Sequence, residues 1–365
     1  MKLLLLSDHF SSHTEKWAKA LARRKIEIVI FSLSPKDAHN YSEYPNIKVI
    51  CENYRSNSSG PLISKSFYLF SWFKLKKTIS SFKPDLIHAH YASSYGLLGA
   101  IARFHPLLIS VWGSDVFSFP NNYFKAMLLK YNFSKADQIL STSHVMAEET
   151  AKYTSKKIEV TPFGIDIEKF RPMSVDSIFQ PSNFVIGTVK SLEKIYGIDI
   201  LILAFSRLKN SFPDKKLKLL IVGEGSQRGV LESQVGTLGL RDDVVFQGAV
   251  SQNEVPKYMN MLDVFVAVSR NESFGVSVLE ASACEKPVIV SRVGGLPEVV
   301  EEGKSGLIVE SENVEEVYKA MVILMNDENL RNEMGKAGRQ RVLDLYNFED
   351  NVEQMMNIYK RILQS

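Results

Sequence analysis

The sequence predicts an α/β protein made of two doubly wound parallel-sheet domains facing a cleft. Three observations carry this expectation. The chain has 365 residues, too many for one compact core and suited to two domains of roughly 150–200 residues each. Hydrophobic residues make up 45% and charged residues 23%, proportions that supply apolar side chains for two cores. Short apolar runs alternate with amphipathic stretches along both halves, the pattern of a parallel sheet covered by helices on both faces. Such a composition excludes a disordered tail protein, a collagen-like repeat and a disulfide-stapled module. No stretch reaches 18 uninterrupted apolar residues, so no membrane span is expected.

Taken in order, the apolar run 3–6 ends at Asp8. It is too short for a signal peptide and reads as a buried first strand. Further strands are expected at 26–31, 47–51, 86–88, 107–111 and 138–140, with helices such as 15–24 and 95–103 between them. The turn-rich stretch 161–172 marks a crossing, giving a first domain over 1–172 and a second over 173–348. In the second domain, strands are expected at 184–188, 218–222, 244–246, 264–268, 287–290 and 306–309. Helices are expected at 200–209, 227–238, 254–261 and 276–284, and only helices after Val314. The last of these, over 349–365, is expected to pack back towards the first domain.

The net charge of +3 hides a polarity. Residues 1–172 hold 23 Lys and Arg against 14 Asp and Glu, a balance of +9, while the remainder stands at −6. All seven histidines also lie in the first half. A basic half on one side of a cleft suits an acidic acceptor or an anionic membrane surface. The two cysteines, Cys51 and Cys284, are far apart with no CxxC pair, which points to a reducing cytoplasm and away from a cysteine metal site.

Two stretches of the second half carry chemistry. Val222-Gly223-Glu224-Gly225 follows a strand and opens onto a helix. Glycines there let a backbone approach an anion held by helix N-terminal amides, although a tight strand-to-helix turn explains them equally well. In Glu272-Ser273-Phe274-Gly275-Val276, a carboxylate stands just past a buried-type strand, and Glu280 lies about one turn into the apolar helix that follows. The chain holds three Glu pairs at this spacing, so only the context singles this one out. An isolated carboxylate in such a helix must be paired or reach solvent through a cleft.

From about Phe184 to Asp350 the chain resembles the retaining glycosyltransferases of family 4, also called group 1, with the GT-B fold of two Rossmann-like domains. The matching motifs are Val222-Gly223-Glu224-Gly225, Val245-Phe246-Gln247-Gly248, Glu272-Ser273-Phe274-Gly275, Leu279-Glu280-Ala281, Lys286-Pro287-Val288-Ile289, Gly294-Gly295-Leu296-Pro297-Glu298 and Gly303-Lys304-Ser305-Gly306. The resemblance implies transfer of a sugar from a nucleotide-diphosphate donor (a UDP- or GDP-sugar) with retention of anomeric configuration. It implies that Glu272 grips donor-sugar hydroxyls, that Ser273, Phe274, Gly275 and Val276 hold the diphosphate through amides, and that Glu280 binds the ribose. Gly223 would line the donor site, and Ala249, Val250 and Ser251 would frame the base. The family's basic pair falls on Lys190 and Lys194, lysine being suited to phosphate without arginine's fork.

The first half matches less tightly. Its loop Ser11-Ser12-His13 lacks the family's glycine pair, and the small serines stand in their place with His13 at the following helix start. The stretch Asp85 to Tyr91 resembles the family's strand-end element; His88 and His90 share one strand face, and His90 is a candidate cleft residue with Ser11, Ser12 and His13. Trp112 replaces the family's histidine, leaving Asp115 as the remaining site candidate. No Asp-x-Asp occurs, which disfavours a metal-dependent sugar transferase, whose metal takes hard oxygen ligands. No metal or other cofactor is expected. Residues 67–77 interleave aromatic and basic side chains, as at an anionic membrane interface, or as a core-packing helix with a basic edge. No nucleic-acid motif accompanies the charge.

The reading that follows is a cytoplasmic hexosyltransferase, peripheral to a membrane at most, acting on a glycan or lipid-linked acceptor in cell-surface polysaccharide synthesis. The alternatives are a nucleotide-sugar epimerase or phosphorylase, and an NAD(P)-dependent oxidoreductase using Gly223-Glu224-Gly225. The oxidoreductase needs an acidic residue at the end of the next strand, whereas Asp242 and Asp243 precede it.

Overall fold

The computed structural model describes residues 1–35, 41–52 and 71–364. The chain divides into two compact units, one of Met1–Phe163 with Asp350–Ser365, the other of Gly164–Glu349.

Among the described residues, the first unit is built on seven parallel strands, β1 (Lys2–Leu6), β2 (Glu27–Ser32), β3 (Ile47–Cys51), β4 (Leu86–His90), β5 (Leu107–Val111), β6 (Gln138–Ser141) and β7 (Ile158–Val160), in the order β3-β2-β1-β4-β5-β6-β7. The central strand β1 pairs with β2 and β4, placing Leu3 opposite Ile28 and Leu86. Leu3, Leu4, Leu5 and Leu6 are all buried, as a strand covered on both faces requires; hence its continuous apolar run. Helices α1 (Ser12–Arg23), α2 (Ser71–Phe82), α3 (Tyr95–Ala102), α4 (Ser114–Phe117), α5 (Tyr123–Lys135) and α6 (His144–Ala151) connect the strands. Gly99 of α3 lets that helix lie close on β5, where a Cβ would come 2.8 Å from Leu107. Asn122 caps α5, its side chain accepting from the Lys125 amide at 3.0 Å.

The membrane-type segment 67–77 lies in part outside the described residues. Its described part, within α2, has a core-packing side and an exposed side that carries Phe73. Leu75 is buried, and the Trp72 indole donates to the Ile101 carbonyl at 3.1 Å, while Lys76 and Lys77 form an exposed edge.

The second unit holds six parallel strands, β8 (Phe184–Val189), β9 (Leu217–Val222), β10 (Val244–Gly248), β11 (Val264–Ala267), β12 (Val288–Ser291) and β13 (Gly306–Val309), ordered β10-β9-β8-β11-β12-β13. Its helices are α7 (Ile198–Ser211), α8 (Arg228–Thr237), α9 (Val255–Asn260), α10 (Val276–Ala283), α11 (Leu296–Val299), α12 (Val314–Asn326) and α13 (Glu328–Leu345). Phe205 of α7, Leu219 and Ile221 of β9, Val264 of β11 and Met321 of α12 meet in one core. In both sheets the strand order reverses beside the first strand, so β1/β4 and β8/β11 are the switch points where such sheets bind ligands.

Sequence placed the crossing at Pro172, but residues 164–173 belong to the second unit. The Ile165 amide donates to the Tyr346 carbonyl at 2.7 Å, and the Phe348 amide donates to the Ile165 carbonyl at 3.0 Å. Asn260 holds the same segment, donating to the Arg171 carbonyl and accepting from the Met173 amide, both at 3.0 Å. The C-terminal helix, Phe348–Gln364, starts at this pairing, and its residues from Asp350 onward pack in the first unit.

Candidate active site

At the switch point of the second unit, Lys190 is the first residue beyond β8, and Glu272 lies in the loop after β11. The Lys190 ammonium reaches Glu272 Oε2 at 2.5 Å, and their side chains are only 17% and 13% exposed. It also lies 4.4 Å from the Tyr196 ring centroid, over the aromatic face. This shielding keeps the pair's attraction well above that of an exposed ion pair.

The glycines of the neighbouring turn hold Lys190 in place. The Lys190 amide donates to the Val222 carbonyl, and the Leu192 amide to the Glu224 carbonyl, both at 2.9 Å. A Cβ on Gly223 would overlap the Lys190 carbonyl, and one on Gly225 would come 2.5 Å from the Leu192 oxygen. The space these glycines leave is filled by the backbone of 190–192. Gly223 therefore supports Lys190 and is not an open phosphate cradle. The dinucleotide reading, which needed that space for a pyrophosphate, loses its footing for the same reason.

The turn after Glu272 is fixed from behind. The Gly295 amide donates to the Glu272 carbonyl at 3.0 Å, and Gly295 lies so close that a Cβ would come 2.5 Å from the Ser273 oxygen. Phe274 is 2% exposed, its ring edge-on to Tyr346 at 5.9 Å; its side chain is a core anchor. Gly275, with φ of 108°, opens α10. The amides of Val276 and Ser277 fall in the first turn, where no intrahelical acceptor exists. Ser277 Oγ is buried with no hydrogen-bond partner, an orphan polar atom that the sequence did not signal.

One turn further on, Glu280 is 7% exposed and accepts from Gln252 Nε2 at 3.2 Å. Ala249, Val250 and Ser251 lead from β10 to Gln252, and Ser251 binds Glu254 through both its amide (3.1 Å) and its hydroxyl (2.7 Å). Lys169 donates to Asn253 at 3.2 Å. Burial lowers the Lys169 pKa, while Glu280 and Asp166 pull it back up. Gln252 and Lys169 were not visible as partners of Glu280 in the sequence.

Lys194 sits in a single 3-10 turn, Lys194–Tyr196, with its side chain exposed; the structure does not bring it to Glu272. Arg270 organises that turn instead. Its guanidinium donates to the Lys194 carbonyl at 2.6 Å and to both Asp199 oxygens at 2.9 and 2.7 Å, and its Nε donates to Glu312 at 2.9 Å. Its amide donates to the Ile195 carbonyl at 2.7 Å. Hydrogen bonds to Asp199 first, then to Glu312, raise the Arg270 pKa above its ordinary value.

In the first unit, Asp115 is fully buried and its carboxylate accepts from the amides of Ala92 (2.8 Å), Trp112 (3.1 Å) and Gly113 (2.8 Å). Burial raises its pKa against those bonds. The expected site carboxylate is thus a backbone clamp joining the loops after β4 and β5, with no face left for a substrate. His90 is also buried, bonded to Ser7 at 3.0 Å, with its ring 4.3 Å from that of Trp112. His88 bonds Ser110 and Tyr359, each at 2.7 Å. A void of about 10 Å³ adjoins both histidines, Trp112 and Tyr359, room for about one water. His13 stacks on Phe163 with centroids 4.0 Å apart, and burial, then the charge of Lys16, depresses its pKa to about 4. Ser11 is half-buried and Ser12 exposed at the start of α1. Among the described residues, no group of three or more His, Cys, Asp or Glu could hold a metal ion, and no helix is long and apolar enough to cross a membrane.

Two Rossmann-like units, each on a parallel sheet whose strand order reverses beside its first strand, define the GT-B fold. A family model described as glycosyl transferases group 1 matches residues 173–341, and one described as glycosyl transferase 4-like matches residues 2–143. A D-inositol 3-phosphate glycosyltransferase of Corynebacterium urealyticum is 30% identical over 76% of this chain and 72% of its own. The chain belongs to the group 1 (family 4) glycosyltransferases. An uncharacterized glycosyltransferase of Methanocaldococcus jannaschii is 28% identical over 93% of both chains. Among solved structures, Anabaena HepE in complex with UDP-glucose superposes with a TM-score of 0.80, covering 99% of this chain and 100% of that one at 20% identity, a likeness of fold.

Proposed function

We propose that this glycosyltransferase is a retaining, metal-independent hexosyltransferase that uses a UDP- or GDP-sugar and a glycan or lipid-linked acceptor, in the synthesis of cell-surface polysaccharide. The observation that carries the reading is the shielded Lys190–Glu272 pair beside the amides that open α10. In this reading Glu272 accepts hydrogen bonds from donor-sugar hydroxyls, Glu280 from the ribose, and Lys190 turns to the diphosphate. Lys194 adds charge from its exposed turn, and the Val276 and Ser277 amides with Ser277 Oγ receive phosphate oxygens.

The bond from the anomeric carbon to the diphosphate oxygen breaks with its electron pair leaving on that oxygen. The acceptor oxygen bonds the same carbon from the same face, and its proton passes to the departing phosphate. Charge on the leaving group is met by Lys190 and by fixed amide dipoles, and such preorganised electrostatics supplies most of the barrier lowering in catalysis of this kind. With that charge already met, the reading requires no metal. Support for a nucleotide-sugar donor comes from family membership and from the UDP-glucose bound by HepE. A phosphorylated polyol is the second acceptor reading, favoured by the inositol-phosphate relative.

The test is Glu272→Ala with a panel of UDP- and GDP-sugars. Transfer should fall by at least about 10³-fold with the melting temperature retained, and the parent's product should keep the donor's anomeric configuration by NMR. Near-normal turnover in the variant, or inversion by the parent, overturns the assignment.

A further inference from the structure

We propose that the exposed face of α5 is the surface by which this protein docks on an anionic membrane. Tyr123, Phe124, Met127 and Tyr131 are 73%, 81%, 50% and 38% exposed, whereas Leu129, Asn132 and Phe133 of the same helix are buried. At 3.6 residues per turn the four exposed side chains fall within about 100° of arc, so they form one apolar ridge. Large exposed apolar patches mark contact surfaces, scattered single residues do not.

The charge around this ridge selects the occupant. From Asn121 to Lys135 there are three lysines, Lys125, Lys130 and Lys135, and no carboxylate. The Lys125 ammonium lies over the Phe119 ring, 5.4 Å from its centroid, and the Lys135 ammonium over that of Tyr131 at 5.6 Å, so cationic and aromatic groups adjoin here as they do at lipid interfaces. In the same row of helices, α3 packs on α5 and α2 packs on α3. There Phe73 is 69% exposed beside Lys76 and Lys77. A second copy pairing ridge to ridge would bring lysines against lysines, whereas a lipid surface with negative headgroups meets both the rings and the ammonium groups.

This surface rests on the proposed function only for its purpose, which is to bring the first unit to a lipid-linked acceptor. The test therefore omits donor and acceptor and follows sedimentation with phosphatidylcholine vesicles, with and without phosphatidylglycerol. The parent should bind the phosphatidylglycerol vesicles and lose binding as salt is raised. Phe124→Ser with Met127→Ser should weaken binding about tenfold or more, and Lys125→Gln with Lys130→Gln and Lys135→Gln about 100-fold. Both variants should bind nucleoside diphosphate and melt as the parent does. Failure of the parent to bind, or variants that bind as the parent does, overturns the proposal and leaves the sugar chemistry untouched. So does a concentration-dependent dimer, abolished by the Phe124/Met127 variant and formed without vesicle binding, which assigns the ridge to a second copy.

Discussion

Gly223→Ala tests the mechanical basis of the proposed donor site. Gly223 has φ of 139°, a region that costs a residue with a Cβ about 1–3 kcal/mol. The added methyl would stand 2.9 Å from the Lys190 carbonyl carbon and overlap its oxygen. Both are backbone atoms, so no rotamer change relieves the contact; the segment after β8 must move. Moving it stretches the Lys190–Val222 and Leu192–Glu224 hydrogen bonds, both 2.9 Å, worth about 1 kcal/mol each. We expect about 3 kcal/mol lost from the second unit by urea unfolding. A displacement of Lys190 by about 1 Å should lower kcat/KM roughly 10²-fold. Gly229 is the internal control. It lies in α8 with nothing within 4 Å of a new Cβ, so Gly229→Ala should stabilise by about 0.5 kcal/mol and leave turnover unchanged. Parental stability and kcat/KM in Gly223→Ala would refute the reasoning.

Three further outcomes follow from the same geometry. Arg270→Lys cannot reproduce the two-pronged grip on Asp199; KM for the donor should rise about tenfold with kcat less affected, by steady-state kinetics, as the 194–196 turn loosens. Tyr359→Phe leaves His88 Nδ1 without its 2.7 Å partner, so the first unit should lose about 1–3 kcal/mol by chemical denaturation, with faster hydrogen exchange in the C-terminal helix. Burial lowers the His88 pKa from 6.5 to about 3 and that of His90 well below 6.5. Between the unfolded and folded values the unfolded chain binds more protons, so stability is full above pH 6.5 and falls as pH drops towards the folded pKa. The loss is about 1.4 kcal/mol per pH unit for each histidine. Melting curves between pH 7 and pH 5 should show it, and His88→Asn should flatten the slope.

The architecture was legible because parallel strands buried on both faces leave unbroken apolar runs, as Leu3–Leu6 and Val264–Ala267 do. Among the described strands only β7 escaped, since three residues (Ile158–Val160) carry too little pattern. The Glu272-to-Glu280 stretch was legible for a different reason: its parts lie on consecutive loop and helix, so spacing reports geometry. Where partners come from distant loops, sequence carried no signal. Arg270 meets Asp199 across 71 positions and Glu312 across 42, and Glu280 meets Gln252 across 28. Asp115 was read as a site residue because a carboxylate after a strand looks the same whether it faces a substrate or gathers three amides. Lys194 and Gly223 were assigned by motif, while their positions are set by contacts that a motif does not record.

The hydrogen bond between His88 and Tyr359 joins residues 271 positions apart, and this separation sets an order of assembly. At translation rates of about 5–20 residues per second, the partner of His88 emerges roughly 14–54 s after it. In that interval the whole of the second unit is made, and its own closing residues, Tyr346 and Phe348 on Ile165, are in place before Tyr359 appears. The unit that begins first is therefore completed last. Chains interrupted after Glu349 would carry a finished second unit and, in the first, an uncovered histidine-bearing sheet face, a natural substrate for chaperones and proteases.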